Sequence, residues 1–435
     1  MSIMLREWFG RNKMYRIGMR KSQKILIHSI VFSPDSVSTA YLYNDIALAF
    51  YNEGYDVTVL TTTPHYNIVE DAIKDQPLKK QLLGLFYKSN FHGIRVIHIP
   101  QRKFKSAIFR IIGFAYWHFC TLILGLREKN ISVILSPSPP LSIGVINLII
   151  GKIKGAKVVY NVQEIYPDLL IEKGGIRSKK IIGFLKWMEH LVYNKSDAVT
   201  TIDDVFYKTI VDRFENRDRL HVIPNFVKTE LYRPIPSNQI FLNRDLFPES
   251  SSLKVMYAGN IGYAQDWEPF LRVASLVKDE DIEFYIIGEG VMKDHVTTQV
   301  NMRGLIKVHI LPYQPRESMP HLLAFSDLQF IFMAKEVEFY GFPSKVYTIM
   351  ACSKPLIVCS GEGTPIVNFL RKYDCAKLIT SNNFDEKVSK IATFLRECSR
   401  DNLRTMGESG FSAISHNYSK SIVTQKYLSL VNDLF

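Results

Sequence analysis

The sequence predicts an α/β protein of two domains, each with a parallel sheet and crossover helices. With 435 residues and 47% hydrophobic content, the chain exceeds what one core usually supports, so two domains of roughly 200 residues each are expected. Short apolar strands alternate with helical stretches along the whole chain, which is typical of parallel sheets joined by helices. The two halves repeat this pattern, which indicates two domains of similar architecture.

The predicted strands can be placed one by one. Those of the first half are Lys24–Ser29, Asp56–Thr61, Ile94–Ile99, Val133–Leu135, Lys157–Val162, Ala198–Ile202 and Leu220–Ile223. Those of the second half are Leu253–Ala258, Ile282–Ile287, Lys307–Leu311, Leu328–Phe332, Pro355–Cys359 and Lys377–Ile379. Each is followed by a turn or a helix.

The polar stretch from Lys228 to Ser252 has no clear period and contains three prolines, so we place the interdomain linker there. The domains are expected at 24–228 and 229–419. A basic arm at 1–23 precedes them. An amphipathic helix at 420–435 follows them and could pack back on the N-terminal domain.

The formal net charge of +12 and the pI near 9.2 indicate an anionic partner, which could be nucleic acid, a nucleotide or an acidic membrane surface. Nucleic acid is disfavoured, because the basic excess gathers at the N-terminus and no recognised nucleic-acid motif appears. The five cysteines are odd in number and form no C-x-x-C pair. That pattern fits reduced thiols in a cytoplasm better than disulfides or a zinc site.

Two segments are candidates for membrane contact. The first 24 residues contain seven basic residues and one acid between apolar ones, which fits a basic amphipathic arm on anionic lipid or a disordered tail. The stretch Ile111–Leu126 has no charged residue, but its sixteen residues fall short of the roughly 20 that span a bilayer. It is therefore either an interfacial helix or a core helix.

Turns after predicted strands of the second half are candidate donor-binding elements, because open parallel sheets bind ligands beyond the carboxyl ends of their strands. Their glycines would let backbone N–H groups approach a phosphate, although two glycines after a strand can also form only a tight turn. Tyr313 offers a ring for a nucleotide base. The residues of these turns are Gly259, Asn260, Gly262, Gly288, Gly290 and Tyr313.

The most informative turn is Gly341 to Ala351, where Pro343 stands at the start of a predicted helix and is followed by Ser344 and Lys345. A helix N-terminus carries partial positive charge, so a lysine there is normally disfavoured. A bound phosphate would outweigh the repulsion. An ordinary solvated lysine is the alternative.

The first half offers polar loops after three strands, which we assign to the acceptor side. The loop Gln163–Asp168 supplies the carboxylates of Glu164 and Asp168, and either could orient an acceptor hydroxyl or act as a base, while Asp168 could instead only cap a helix. The remaining acceptor-side candidates are polar: Ser33, Asp35, Ser36, Ser38, Ser136, Ser138 and Gln163.

These motifs, taken in order, resemble glycosyltransferase family 4 over about residues 24 to 420, and in particular its bacterial surface-polysaccharide branch with O-antigen and amino-sugar transferases. The segments that carry the resemblance begin at the first strand and its loop. They continue with Tyr55–Thr61, Gln163–Asp168, Val222–Phe226, Tyr257–Gly262, Ile286–Gly290 and Pro343–Tyr347.

The resemblance implies a GT-B fold, in which two Rossmann-like domains face a cleft, with acceptor at the N-terminal domain and nucleotide-sugar at the C-terminal one. It implies a retaining transferase of hexosyl or N-acetylhexosaminyl type that needs neither metal nor cofactor, since the nucleotide-sugar is a substrate. The expected acceptor is a glycan, lipid-linked in particular. The expected location is cytoplasmic, on the inner face of the cell membrane.

The chain departs from the family at several positions. Many members carry two glutamates eight positions apart, and the matching residues here are Tyr340 and Thr348. Their contacts must come from elsewhere, with Glu338 and Glu362 as candidates. The usual Arg/Lys pair after the first C-domain strand appears as Gln265 and Asp266. Lys345 is therefore the expected phosphate cation, and stabilising charge on the leaving group is its expected role.

Two other functions share this two-domain architecture. A nucleotide-sugar 2-epimerase would also need a diphosphate site, but it would have no use for lipid-facing segments. A non-catalytic subunit with the same fold would be consistent with the missing glutamate pair.

Overall fold

A computed structural model describes residues 23–66, 68–102, 106–172 and 175–435 of the chain. Its internal contacts divide the chain into two compact units. The first comprises the residues up to Pro224 together with Val423–Phe435, and the second is Asn225–Ile422. The predicted N-terminal basic arm lies, except for its last residue, outside the described residues.

The first unit contains a nine-stranded sheet in the order β3-β4-β5-β2-β1-β6-β7-β8-β9. The pairs from β5 through β9 are parallel, with Ile25 opposite Val57 as an example of the register. The strands are β1 Lys24–His28, β2 Asp56–Thr62, β3 Lys79–Gln81, β4 Phe86–Phe91, β5 Ile94–Ile99, β6 Ile131–Pro137, β7 Lys157–Val162, β8 Ala198–Thr201 and β9 Leu220–Val222.

Helices cover this sheet because every parallel connection must return along the sheet to start the next strand. The sheet buries its apolar residues, such as Leu26, Leu60 and Ile134, which are shielded completely from solvent. The helices are α1 Ser38–Asn52, α2 Glu70–Asp75, α3 Ala107–Arg127, α4 Ser142–Lys154, α5 Asp168–Glu172, α6 Lys179–Lys195 and α7 Asp204–Ile210.

The second unit contains a six-stranded, wholly parallel sheet in the order β12-β11-β10-β13-β14-β15. Its core is aromatic: the rings of Phe270 and Phe330 stack with centroids 4.9 Å apart. The strands are β10 Leu253–Ala258, β11 Ile282–Ile287, β12 Val308–Leu311, β13 Leu328–Phe332, β14 Leu356–Cys359 and β15 Ala376–Ile379. The helices are α8 Trp267–Leu276, α9 Lys293–Met302, α10 Met319–Phe325, α11 Lys345–Ala351, α12 Pro365–Leu370, α13 Phe384–Glu397 and α14 Arg400–Asn417.

A last helix, α15 Lys420–Asp433, starts in the second unit and ends in the first. Its end is held in the first unit by a hydrogen bond of 2.7 Å from the Tyr55 hydroxyl to the Asn432 side chain. The polar stretch 228–252 is not a free connector, because Tyr232 and Phe247 are buried in the second unit. Isolated aromatic side chains anchor this stretch to the second unit, which explains why its hydrophobic residues show no regular spacing.

All thirteen predicted strands are present in the structure, within one or two residues of their expected ends, and β6 extends two residues beyond Val133–Leu135 at each end. The strands β3 and β4, which form an antiparallel extension at one edge of the first sheet, were not predicted from the sequence. His92 and Gly93 join β4 to β5 with φ values of 49° and 94°. A two-residue hairpin turn requires such positive angles, so the His-Gly dipeptide was the signal that could have revealed the hairpin.

The apolar stretch Ile111–Leu126 lies within α3, which has two different faces. Trp117 and Thr121 are buried against the sheet, whereas Phe109, Ile112 and Phe119 are exposed. Within the described part of the chain, no helix has both the length and the apolar content needed to cross a membrane.

Candidate functional site

The carboxyl ends of β10 and β13 meet where the strand order of the second sheet reverses. The sheet continues with β11 and β12 on the β10 side and with β14 and β15 on the β13 side. Ligands of open parallel sheets bind outside the carboxyl ends at such a switch point. The turn Gly259–Gly262 follows β10, and α11 with Lys345 follows β13. These two predicted phosphate-binding elements therefore flank one switch point.

The side chain of Lys345 reaches across this point. Its Nζ donates a hydrogen bond of 3.1 Å to the Ala258 carbonyl and lies 3.7 Å from the centroid of the Tyr257 ring. A Cβ atom added to Gly259 would lie 2.6 Å from the same Nζ, so the glycine leaves room for the ammonium group. Burial lowers the pKa of Lys345 to about 7. A bound anion would favour the charged form again, as a phosphate site requires.

The glycine turns after β10 and β11 pack backbone against backbone. A Cβ atom at Gly288 would lie 1.9 Å from the Gly259 carbonyl oxygen, and one at Gly290 would lie 2.2 Å from that of Ile261. The Ile261 N–H donates to the Glu289 carbonyl at 2.8 Å. The close contact between the two turns therefore requires glycine at these positions. The same contact holds both turns rigid next to Lys345.

Three further candidates belong to the end of β10. The Asn260 carbonyl accepts a hydrogen bond of 2.6 Å from the Tyr257 hydroxyl. A Cβ atom at Gly262 would lie 2.7 Å from the Asn260 side-chain nitrogen, so both residues shape one turn. Gln265 is buried, and its side-chain oxygen accepts from the Phe332 N–H at 3.2 Å. Gln265 thus ties β10 to β13 below the switch point.

Tyr313 follows β12 and has an exposed ring. Its backbone N–H is hydrogen-bonded to the carboxylate of Glu289, between the two glycines of the neighbouring turn. The fold therefore brings an exposed aromatic ring to the edge of the glycine turns.

The two glutamates considered as substitutes for the family pair already have intramolecular partners. Glu338 is buried, and its carboxylate accepts hydrogen bonds from the Gly361 N–H at 2.6 Å and the Ser360 hydroxyl at 3.1 Å. The carboxylate of Glu362 is paired with the Arg371 guanidinium at 2.6 Å. The Glu338 contacts connect the loop after β13 to the loop after β14, and the Glu362 pair connects the loop after β14 to the end of α12.

The other candidates after β13 surround the start of α11. Ser344 is the exposed N-cap residue, and the Pro343 carbonyl accepts from the Val346 N–H at 3.1 Å. The Thr348 hydroxyl donates to the Lys345 carbonyl at 2.8 Å. The Tyr340 N–H donates to the Val337 carbonyl at 3.2 Å, which closes the turn before the helix.

The acceptor-side candidates lie around the switch point of the first sheet, between β1 and β6. The Ser33 hydroxyl donates to the Gln76 side chain at 2.6 Å. The buried Asp35 carboxylate accepts from the backbone N–H groups of His65 and Tyr66, and so joins the loops after β1 and β2. Ser36 follows in the same loop, and Ser38 is exposed at the start of α1.

The loops after β6 and β7 are bonded to each other. The Ser138 hydroxyl oxygen accepts from the Gln163 N–H at 3.0 Å. The buried Ser136 hydroxyl accepts from the Asn147 side chain at 2.8 Å. The Gln163 side chain donates to Asn161 at 2.6 Å. The hydrogen-bonding groups of these residues therefore position the loops.

The two candidate acceptor-side carboxylates differ in their surroundings. Asp168 starts α5, and its carboxylate forms an ion pair of 2.5 Å with Arg213, which also binds Glu189 at 2.5 Å. Burial raises the pKa of Glu189 to about 7, and Arg213 opposes that shift. Glu164 is hydrogen-bonded to the Tyr166 hydroxyl, and burial and then this carboxylate raise the pKa of Tyr166. Asp168 is thus already paired with a cation, whereas the contact of Glu164 is with a neutral hydroxyl.

Tyr257 and Arg213 were not predicted from the sequence as residues of the site. Tyr257 lies in an apolar strand and its ring supports Lys345, whereas Arg213 is 45 residues from the carboxylate it binds. An aromatic residue two positions before the first glycine of a turn was the one available signal for Tyr257. Among the described residues, no group of three or more His, Cys, Asp or Glu side chains is arranged to hold a metal ion.

This arrangement defines a class of protein: two α/β units, one of which has a cationic site beside glycine turns at a sheet switch point. Two family models match the chain. A glycosyl transferase 4-like domain matches residues 41–225, and the model of glycosyl transferases group 1 matches residues 240–410. The two models together cover most of the chain, which belongs to the family-4 type of glycosyltransferases.

Two curated relatives support this assignment. WcaI of Escherichia coli (strain K12), assigned to colanic acid biosynthesis, is 22% identical over 79% of this chain and 84% of its own length. WbjE of Pseudomonas aeruginosa, named a glycosyltransferase, is 23% identical over 71% of this chain and 76% of its own length.

Solved structures show the same fold. Sucrose-phosphate synthase from Thermosynechococcus elongatus has a TM-score of 0.70 and 13% identity, and the match covers 95% of this chain and 99% of that one. Anabaena HepE, in complex with UDP and glucose, has a TM-score of 0.68 and 14% identity over 94% and 100%. The predicted GT-B fold with two Rossmann-like domains is confirmed.

Proposed function

We propose that this chain is a retaining, metal-independent transferase. It would move a hexosyl or N-acetylhexosaminyl group from a nucleotide-diphosphate-sugar to a lipid-linked glycan in surface-polysaccharide biosynthesis. It would work in the cytoplasm, on the inner face of the cell membrane. The assignment of WcaI to colanic acid biosynthesis supports the pathway class. The anionic membrane surface is its proposed second partner.

The observation that carries the proposal is the buried ammonium group of Lys345 at the switch point of the second sheet. A cation that has lost hydration and lies beside rigid glycine turns can stabilise charge on a diphosphate leaving group without first reorganising solvent. The exposed ring of Tyr313 lies at the edge of the same turns and suits the nucleotide base.

The donor-binding set of the proposal is the turns after β10 and β11, Tyr313 and the start of α11. Since Glu338 and Glu362 have intramolecular partners, we assign the sugar contacts to the loop backbone that these glutamates hold in place. Of the two acceptor-side carboxylates, Glu164 is the proposed base. The catalytic set is therefore Lys345 and Glu164.

Thermal unfolding against a panel of nucleotide-sugars tests the donor site. A ligand held at 100 times its dissociation constant should add about 2.7 kcal/mol of stability. With the donor identified, Lys345→Ala should reduce turnover at least about tenfold, roughly 1.4 kcal/mol of transition-state stabilisation. Lys390→Ala, which removes an exposed lysine of α13, serves as the matched control.

The same assays separate the alternatives. Release of an epimer from nucleotide-sugar alone would identify an isomerase, and binding without turnover would identify a non-catalytic subunit. Unchanged kinetics in Lys345→Ala would remove this lysine from the mechanism.

A further inference from the structure

Three helices of the first unit, α3, α4 and α6, lie side by side on its sheet. A Cβ atom at Gly125 of α3 would lie 2.5 Å from Cδ1 of Ile150 in α4, and one at Gly144 of α4 would lie 2.6 Å from Cγ1 of Val192 in α6. The Tyr116 hydroxyl of α3 donates to the Leu85 carbonyl at 3.1 Å, which adds the turn 82–85. We call the outer surface of α3, α4, α6 and this turn the three-helix face.

The three-helix face exposes large apolar side chains from each of its parts. Leu83 is 99% exposed and Trp187 is 56% exposed, and the rings of Phe184 and Trp187 stack on each other with centroids 5.7 Å apart. A soluble surface rarely gathers so many apolar side chains without a partner. The exposed apolar residues are Leu82, Leu83, Leu85, Phe109, Ile111, Ile112, Phe119, Ile149, Ile153, Ile181, Phe184 and Trp187.

The charge of this face selects the partner. The sequences of α3, α4 and α6 contain eight Lys and Arg residues and one acid, Glu189, whose carboxylate is buried against Arg213. Residues 1–22 also carry a basic excess. A second copy or this N-terminal segment would therefore bring like charge to the face, whereas an anionic bilayer offers both an apolar interior and a surface of opposite charge.

The polarity of the helices relates the face to the acceptor-side loops. α3 precedes β6 and α6 precedes β8, and each returns antiparallel to the strands of the sheet. Their first turns, with Phe109 and Ile181, therefore lie at the carboxyl end of the sheet. Ser33 and Ser136 lie at the same end, so these two exposed apolar residues and the acceptor-side loops share one edge of the unit.

We propose that the three-helix face is a docking surface for an anionic lipid bilayer, into whose headgroup region Phe184, Trp187 and the turn 82–85 insert. This orientation presents the edge with the acceptor-side loops to lipid-linked molecules. The lipid-linked acceptor belongs to the proposed function, on which this part of the inference rests, but docking itself requires no sugar chemistry.

Sedimentation of the full chain with vesicles tests the proposal. Vesicles that contain phosphatidylglycerol should bind the protein more strongly than pure phosphatidylcholine vesicles. Phe184→Ser/Trp187→Ser should weaken this binding at least about tenfold, because two exposed aromatic anchors are lost. Met302→Ser/Ile306→Ser removes exposed apolar side chains of the second unit and should leave it unchanged. Equal losses in both double variants, or no loss in the first, would overturn the proposal.

Tryptophan fluorescence provides a test that needs no loss of function. In a Trp8→Phe background, vesicles that contain both phosphatidylglycerol and brominated phosphatidylcholine should quench Trp187, since Trp117 and Trp267 are buried. Trp187→Phe should remove the quenched fraction. Absence of quenching would contradict docking through this helix.

Three further outcomes are decisive. If Phe184→Ser/Trp187→Ser dissolves a dimer in light scattering while vesicle binding persists, the face is a subunit interface and the proposal is overturned. A chain that binds vesicles through this face but binds no nucleotide-sugar would support docking and contradict the proposed transferase. Nucleotide-sugar turnover without vesicle binding would do the reverse.

Discussion

Lys345 donates a hydrogen bond of 3.1 Å to the carbonyl of Ala258, and this contact joins the last residue of β10 to the first residue of α11. The two residues are 87 positions apart and flank the switch point of the second sheet. A cation is thereby buried against a carbonyl and an aromatic ring. The arrangement suits an anionic ligand better than it suits the empty protein, and the first two predictions follow from this.

Lys345→Met should stabilise the empty protein at low pH. Burial lowers the pKa of Lys345 from 10.5 to about 7, so below pH 7 the folded state carries the full cost of a poorly solvated charge. This cost falls as pH rises from 7 towards 10.5, because the unfolded state then binds more protons than the folded state. Urea unfolding should show a gain of about 1–3 kcal/mol at about pH 6 and a smaller gain at about pH 9. Lys390→Met should change little at either pH.

Nucleotide diphosphate binding should take up a proton. At about pH 8 the empty site holds mostly neutral lysine, and a diphosphate favours the ammonium form, so close to one proton should enter with UDP or GDP. Calorimetry in two buffers of different ionisation enthalpy measures this uptake. Lys345→Arg should bind without proton uptake, because arginine is always charged. Equal uptake by the wild type and Lys345→Met would contradict the assignment.

Gly288→Ala should disrupt the donor turns. The new Cβ atom would lie 1.9 Å from the Gly259 carbonyl oxygen, so one turn must move. We expect a loss of more than about 3 kcal/mol in the free energy of unfolding, together with weaker nucleotide binding. Gly304→Ala is the matched control, because Gly304 also has a positive φ of 61° but open space around its Cα. Its cost should be about 1 kcal/mol, from backbone strain alone.

Glu164→Gln and Asp168→Asn should differ in what they impair. Asp168 shares Arg213 with the buried Glu189, so Asp168→Asn should lower the free energy of unfolding by about 1–3 kcal/mol and change turnover little. Glu164→Gln should lower kcat about 100-fold or more if this carboxylate is the base, with little change in stability. Denaturant unfolding and steady-state kinetics on the same preparations separate the two effects. The reverse pattern would assign the base to Asp168.

The sequence by itself determined the strands and the positions of the turns after them. A buried parallel strand such as Ile282–Ile287 is a short apolar run between turn signals, and that information lies within a dozen residues. The turn at Gly288 and the helix start at Pro343 are equally local, because the residue types themselves restrict the backbone. The resemblance to a family added the order of the motifs.

The tertiary structure alone decided which of these residues meet. The ring of Tyr257 beneath Lys345, the ion pair of Asp168 with Arg213 and the hydrogen bond of Glu338 to Gly361 each join residues far apart in the chain. The strand order of the sheet brings them together, and nothing in the local pattern of either partner encodes it. The tertiary structure also decided the three-helix face, because the exposed side of a helix is set only once its neighbours cover the other sides. Exposure and pKa depend on these long-range contacts, since both are set by how much water the packing excludes.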